Sequence, residues 1–127
     1  MAEHNELGKW GEEFAVDFLR HEGYIILERD WRNGRSKRDI DIICKTADRT
    51  TVVFVEVKTR SREDITRPED AVNIRKIRNI GQAADQYVKN NNVVEELRFD
   101  IIAIVGRKGD CNVKLEHIVD AFNPLLV

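Results

Sequence analysis

The stretch Thr51-Val-Val-Phe-Val-Glu56-Val-Lys58 restricts what this chain can become more than any other. Its Val and Phe content reads as a buried β-strand. It nevertheless carries a carboxylate and an amine where apolar residues belong. An isolated charge in a core is costly unless something pairs with it. Glu56 and Lys58 stand two residues apart, so they share one strand face, roughly 6–7 Å apart along it. A third misplaced charge, Asp41, interrupts the apolar run Ile40-Asp41-Ile42-Ile43 just upstream. The polar segment Thr46-Ala-Asp-Arg-Thr50 between the two runs reads as a turn. A turn centred on Asp48-Arg49 sets Asp41 directly opposite Glu56 and Asp39 opposite Lys58. Such cross-strand neighbours have Cβ atoms ~4.5–5.5 Å apart. A slip of one residue would turn the set to the other face, so this register is a firm expectation.

Around that hairpin the periodicity predicts α-β-β-β-α-β-β. Residues 6–22 form an amphipathic helix with a stripe of Leu7, Trp10, Phe14 and Phe18, widened by Gly11 and Ala15 and closed by Gly23. A strand runs from Tyr24 toward Trp31, and strands follow over Asp39 to Lys45 and Thr51 to Thr59. A second helix is expected from Pro68 to about Asn90, with Thr66-Arg-Pro-Glu69 at capping-box spacing and a stripe of Ile77, Ile80, Ala84, Tyr87 and Val88. Strands over Phe99 to Val105 and Val113 to Val119 complete the pattern. This order implies an α/β protein with a central mixed sheet flanked by helices. At 127 residues it is expected to form a single domain over 1–127.

Two carboxylates held that close repel by roughly 4 kcal/mol at an effective dielectric of 20. One would take up a proton unless a cation relieved the conflict. A divalent ion accounts for both acids, and oxygen-only ligands favour Mg²⁺ or Mn²⁺ over Zn²⁺. Such an ion can polarise a phosphate and activate water, and Lys58 can serve that water or the developing charge. The competing reading is a salt bridge among Lys58, Asp39, Asp41 and Glu56 on a solvated sheet edge.

A fourth acid comes from the first helix. At 100° per residue, Glu12 falls with Gly8, Ala15 and Leu19 at the edge of the buried face, whereas Glu13 falls with Lys9, Asp17 and Arg20. Glu12 is therefore the helical acid placed to lean inward as a metal or water ligand, or else a boundary residue reaching solvent. Lys76, on the border of the second helix's stripe, could reach the site, although a solvent-facing lysine is the simpler reading. His4, His21 and His117 show no ligand spacing and read as surface residues. Trp31 reads as a strand-end core anchor.

The formal net charge of −2 excludes a general polyanion binder, but the charge is unevenly placed. Arg29, Arg32, Arg35, Lys37 and Arg38 face only Asp30 in their stretch. A second basic stretch runs from Lys58 through Arg60 to Arg78. Both flank the candidate site, as a phosphate backbone approaching bound metal requires; a solvated surface is the plainer reading of charge alone. The longest apolar run, Ile101 to Val105, falls far short of the ~20 residues that cross a bilayer. Cys44 and Cys111 are isolated in strand-like contexts, which implies reduced core thiols and a cytoplasmic protein.

Taken together, Gly8-x-x-Gly11-Glu12-x-x-Ala15, Gly23-Tyr24, Asp39-Ile-Asp41-Ile-Ile, Phe54-Val-Glu56-Val-Lys58-Thr-Arg60 and Arg98-Phe-Asp100 resemble the YraN-like family of bacterial proteins. The likeness extends over nearly the whole chain, to Ala121-Phe122. It implies the restriction-endonuclease-like fold with the PD-(D/E)xK nuclease signature, and similarity to archaeal Holliday-junction resolvases. It implies Asp41 as the signature acid, Glu56 and Lys58 as the (D/E)xK pair, and Glu12 as the helix-one acid. Where the family commonly has Gly-Glu-Ile-Asp, this chain has Arg38-Asp39-Ile40-Asp41, which keeps the last acid and alters the residues before it. A nuclease-like fold does not by itself establish nuclease activity.

The expected function is a Mg²⁺- or Mn²⁺-dependent DNA nuclease acting on structured or branched DNA. Asp41, Glu56 and Glu12 are the expected metal ligands, and Lys58 the expected catalytic amine. Arg32, Arg35, Lys37, Arg38 and Arg60 are the expected phosphate contacts. Cutting both strands of a junction would favour a homodimer, though no stretch marks a dimer face. The alternatives are a non-catalytic nucleic-acid-binding module that retains the fold, and a protein-interaction domain.

Overall fold

A computed structural model describes residues 2–32, 34, 39–61 and 73–126. Among them, two α-helices pack on opposite faces of a five-stranded sheet. Helix α1 (Ala2–His21) is followed by β1 (Ile25–Arg32), β2 (Asp39–Lys45) and β3 (Thr51–Arg60); α2 (Ile74–Asn91) precedes β4 (Glu96–Val105) and β5 (Lys114–Ile118). The sheet order is β1-β2-β3-β4-β5. Three pairs are antiparallel, and β3 and β4, joined through α2, are parallel. This is the expected mixed α/β sheet, because a parallel pair needs a long crossover and the helical segment between β3 and β4 supplies one.

The β2–β3 register follows the expected one where the strands pair: Ile42↔Val55, Ile43↔Phe54, Cys44↔Val53 and Lys45↔Val52. The connecting turn fits its sequence. Asp48 Oδ1 accepts bonds from Thr46 Oγ1, Thr50 N and Thr50 Oγ1, and Arg49 takes a positive φ of 64°. The ladder then stops at Ile42–Val55, three pairs earlier than expected. Asp41 and Glu56 are not ladder partners, nor are Asp39 and Lys58. Instead Asp41 Oδ2 accepts the Val57 N–H at 2.8 Å, so a carboxylate replaces the next backbone acceptor. Ile40 and Ile42 lie in opposite core layers, which strict alternation forbids. The strand thus slips by one face at Asp41.

Helix α1 meets the sheet through Gly11, Ala15, Val16 and Leu19, with Phe14 and Phe18 at the margins of the contact rather than its centre. Small residues let the helix approach closely. A Cβ on Gly11 would lie 2.9 Å from Thr59 Cβ, a strand position that cannot swing aside. Gly11→Ala should therefore destabilise by about 1–3 kcal/mol through overpacking. Denaturant melts check this; an unchanged midpoint would show that the helix can shift.

Helix α2 starts at Ile74, later than the expected start at Pro68. Asn73 is extended (φ −89°, ψ 172°) and its side chain accepts the Lys76 N–H at 2.9 Å, an N-cap that ends the helix there. The Thr66–Glu69 capping box lies outside the described residues. At the other end Asn92 caps in the left-handed region, φ 51°. Trp31 packs edge-on to Tyr87 as a core anchor, with ring centroids 5.4 Å apart. Cys44 is buried and burial pushes its thiol up to about 12, whereas Cys111 is exposed, not a core thiol. It falls in the turn after β4, beyond the strand that would have buried it.

Candidate metal centre and its basic rim

The sheet opens where the β2–β3 ladder ends, and there four carboxylates from four elements meet. Carboxylate oxygens of Glu12 on α1, Asp30 on β1 and Asp41 on β2 lie within 4.8 Å of one another. Glu56 on β3, 6% exposed, shares a hydrogen bond with Asp41. Glu56 alternates with Phe54 and so belongs to the α2 layer, whereas Asp41 reaches Glu12 in the α1 layer. The face slip at Asp41 is what lets one carboxylate touch both.

Asp30 is the acid that periodicity could not find. It stands in a strand of charged residues, Glu28-Arg29-Asp30, and reads there as the lone counter-charge to a basic stretch. Its φ of 49° departs from strand geometry. A local left-handed residue turns a side chain off the alternation that sequence arguments assume. Asp can adopt this conformation more readily than most residues.

The electrostatics carry the mark of burial first and of crowding second. Burial, a hydrogen bond to Asp30 and the Asp41 charge push Glu12 up to about 8. Burial, then the hydrogen bond and charge of Asp41, push Glu56 up to about 9, against the opposing pull of Lys76. Burial and Asp41 also raise Asp39, which Arg32 and Lys76 partly offset. Burial and neighbouring charge thus favour the protonated forms of Glu12 and Glu56 at neutral pH. A carboxyl raised in the fold binds more protons than its unfolded counterpart between the two values. In a chelator, stability contributed by Glu12 and Glu56 is accordingly full below about pH 4.5 and is lost as pH rises toward about 8–9. Thermal melts in EDTA across that window should fall with pH. A flat profile would mean the carboxylates do not interact as placed.

The amine at the acids is not the expected one. Lys58 is exposed and makes no ion pair among the described residues. Lys76, on the first turn of α2, places Nζ 3.4 Å from Glu56 Oε1. Its backbone is fixed by the Asn73 cap, and α2 packs across the face that Glu56 shares. Lys76 is thus not simply solvent-facing. Arg32 ends β1 opposite Asp39 and so stands at the rim of the acid group, whereas Arg60 ends β3, four residues beyond Glu56. Arg35, Lys37 and Arg38 lie outside the described residues.

Away from this centre, His117 is no surface residue. Its Nε2 lies 2.7 Å from Asp100 Oδ2. Asp100 is fully buried, and Arg98 grips it through Nε at 2.9 Å and a terminal nitrogen at 2.8 Å. Arg98 also donates to Tyr24 Oη at 2.8 Å, and Asp120 N–H donates to Asp100 Oδ1 at 3.0 Å. This network ties β4 to β5, to the start of β1 and to the C-terminal segment. No spacing rule joins residues so far apart in sequence, although Arg98-Phe-Asp100 stood out as a motif.

The fold and the acids at the parting of β2 and β3 define a restriction-endonuclease-like protein. The model of the uncharacterised protein family UPF0102 matches residues 11–104. A UPF0102 protein of Bacteroides fragilis is 47% identical over 126 residues, covering 99% of each chain. Similar proteins of Bacteroides thetaiotaomicron and Flavobacterium psychrophilum are each 45% identical, over 126 and 122 residues, with at least 96% of either chain covered. The chain belongs to family UPF0102, the YraN-like family of the restriction-endonuclease-like superfamily. No described helix is long and apolar enough to cross a membrane.

Proposed function

We propose that this chain is a divalent-metal-dependent nuclease that hydrolyses phosphodiester bonds in DNA, with structured or branched DNA as its substrate class. The observation that carries this reading is the convergence of Glu12, Asp30, Asp41 and Glu56, two of them raised by burial and by their acidic neighbours, with Lys76 and Arg32 beside them. An all-oxygen donor set whose members repel one another fits Mg²⁺ or Mn²⁺. Asp41 and Glu56 would hold the ion, with Glu12 and Asp30 completing the wall on the α1 side. When bound, the ion supplies Lewis-acid polarisation of a phosphate and a more acidic water. The chain's own groups do the rest. Asp41, pinned by the Val57 N–H, presents a fixed oxygen. Lys58, exposed at the strand end, can reach a phosphate oxygen and offset developing charge. Arg32 and Arg60 hold the backbone on either side. Cleavage of a junction from both strands would engage two copies.

Supercoiled, linear, single-stranded and four-way-junction DNA incubated with Mg²⁺, Mn²⁺ or EDTA test the reading. Cleavage should require the metal. Lys58→Ala should abolish it and leave the melting temperature unchanged, because Lys58 holds nothing in the fold. Equal cleavage by that variant or in EDTA would overturn the mechanism.

One observation favours a second reading, a nucleic-acid-binding module that does not cleave: the amine in contact with the acids is Lys76, whereas the motif lysine stands apart. That reading expects salt-sensitive DNA binding with no product in either metal.

A further inference from the structure

The other end of the sheet carries an unfinished edge. Strand β5 pairs with β4 only from Ile101 to Val105. The first half of β4, from Glu96, has a strand neighbour on the β3 side alone. Glu96 N donates to Thr50 O and Gly106 N to Arg60 O, so even-numbered positions of this strand address β3. By alternation, the N–H and C=O of Leu97 and Phe99 address the open side. Phe99 O is taken by Ala121 N at 2.7 Å, and the pairing goes no further toward Leu97.

Beside this edge lies a cavity of about 440 Å³ between α2, the start of β4 and the C-terminal segment. Its apolar lining is Ala84, Val88, Leu97, Phe99, Phe122 and Leu125. Leu97 is 43% exposed and Leu125 91%. Its rim is acidic, with Asp85, Glu95, Glu96 and Asp120. Lys89 and Lys45 neutralise Asp85 and Glu95, whereas Glu96 and Asp120 are exposed and carry no ion pair among the described residues. Open edges bearing apolar side chains are normally covered or blocked by positive charge. Here the unpaired charges are negative.

We infer that this edge is a docking site for an extended basic–apolar segment of a partner protein, which adds a strand to β4 beyond β5. The segment's backbone pairs with Leu97 and the Phe99 N–H, its apolar side chains enter the cavity, and its Lys or Arg side chains meet Glu96 and Asp120. The rim decides between occupants. A nucleic acid would bring phosphate against carboxylate. A second copy related by a two-fold axis would set the same acidic edge against itself. A basic strand satisfies backbone, cavity and charge together.

The test is an amide NMR titration of the full chain at 150 mM NaCl with a blocked Lys-Val-Lys-Val-Lys-Val peptide. Three control probes are its Glu-for-Lys counterpart, a version N-methylated on alternate residues and a dilution series without peptide. Saturable shifts centred on Leu97 and Phe99, absent with the Glu peptide and lost on N-methylation, are expected. Glu96→Arg with Asp120→Arg, both exposed, should weaken binding at least about tenfold. No saturable binding, or equal binding of the N-methylated peptide, would overturn the proposal. So would shifts centred on Glu12, Asp30 and Asp41, which would mean simple cation capture. Shifts of the same amides on dilution alone would assign the edge to a second copy instead.

Discussion

Asp41→Asn should give a protein that is at least as stable as the parent in EDTA at pH 8 and yet cleaves no DNA. The amide oxygen can still accept the Val57 N–H, so the end of the β2–β3 ladder survives. The substitution removes the charge that helps hold Glu12 and Glu56 protonated. It also removes one carboxylate oxygen from the residue that meets both Glu12 and Glu56. A loss of at least about 10²-fold in cleavage follows if the acids serve a metal. Divalent ions report the same point without turnover. Mn²⁺ at a hundred times its dissociation constant should stabilise the parent by about 2.7 kcal/mol, which is several degrees in melting temperature for a chain of this size. Asp41→Asn should lose that gain. A variant that melts lower than the parent in EDTA, or that keeps the Mn²⁺ gain, would show that Asp41 is a structural residue.

Asp100→Ala should be the most damaging single change away from the acids. Asp100 is fully buried, and its partners are Arg98, His117 and the Asp120 N–H. Its removal strands the Arg98 guanidinium and opens the joint between β4, β5 and the C-terminal segment. Breaking one side of a buried ion pair costs about 3–5 kcal/mol, a substantial part of the stability of a small domain. Urea melts measure the loss. A cost below about 1 kcal/mol would mean that the network relaxes to solvent.

The same residue shapes the acid limb of stability. Burial acts to raise Asp100, but the bonds from His117, Arg98 and Asp120 N–H outweigh it and hold the carboxyl below its ordinary value. A depressed carboxyl contributes stability that is present above its unfolded value and lost as pH falls through the folded one. The Glu12 and Glu56 contributions run the other way, being lost as pH rises. Stability in EDTA should therefore peak in mildly acidic solution, between the two limbs. Asp100→Asn should flatten the acid limb alone.

Wherever the side-chain period is local, the sequence was a sufficient guide. Alternation and a five-residue turn set the β2–β3 register, and the 100° helical step singled out Glu12 over Glu13. Those inferences rest on repeats of two or 3.6 residues, which a chain carries in its own order. The same logic marked Asp41 and Glu56 as charges in need of a partner.

Tertiary structure decided the rest, because it depends on contacts that no period encodes. Asp30 joined the acids through a left-handed backbone that breaks alternation, and Asp41 touched both core layers because its strand slips one face. Lys76 reached Glu56 because Asn73 stops α2 where it does and the helix lies across that face. Arg98, Asp100 and His117 met only once β4 and β5 were paired. From the order of residues alone came three of the acids, Glu12, Asp41 and Glu56, and the elements that bear them. The packing of four separate elements decided which oxygens face one another and which amine stands beside them.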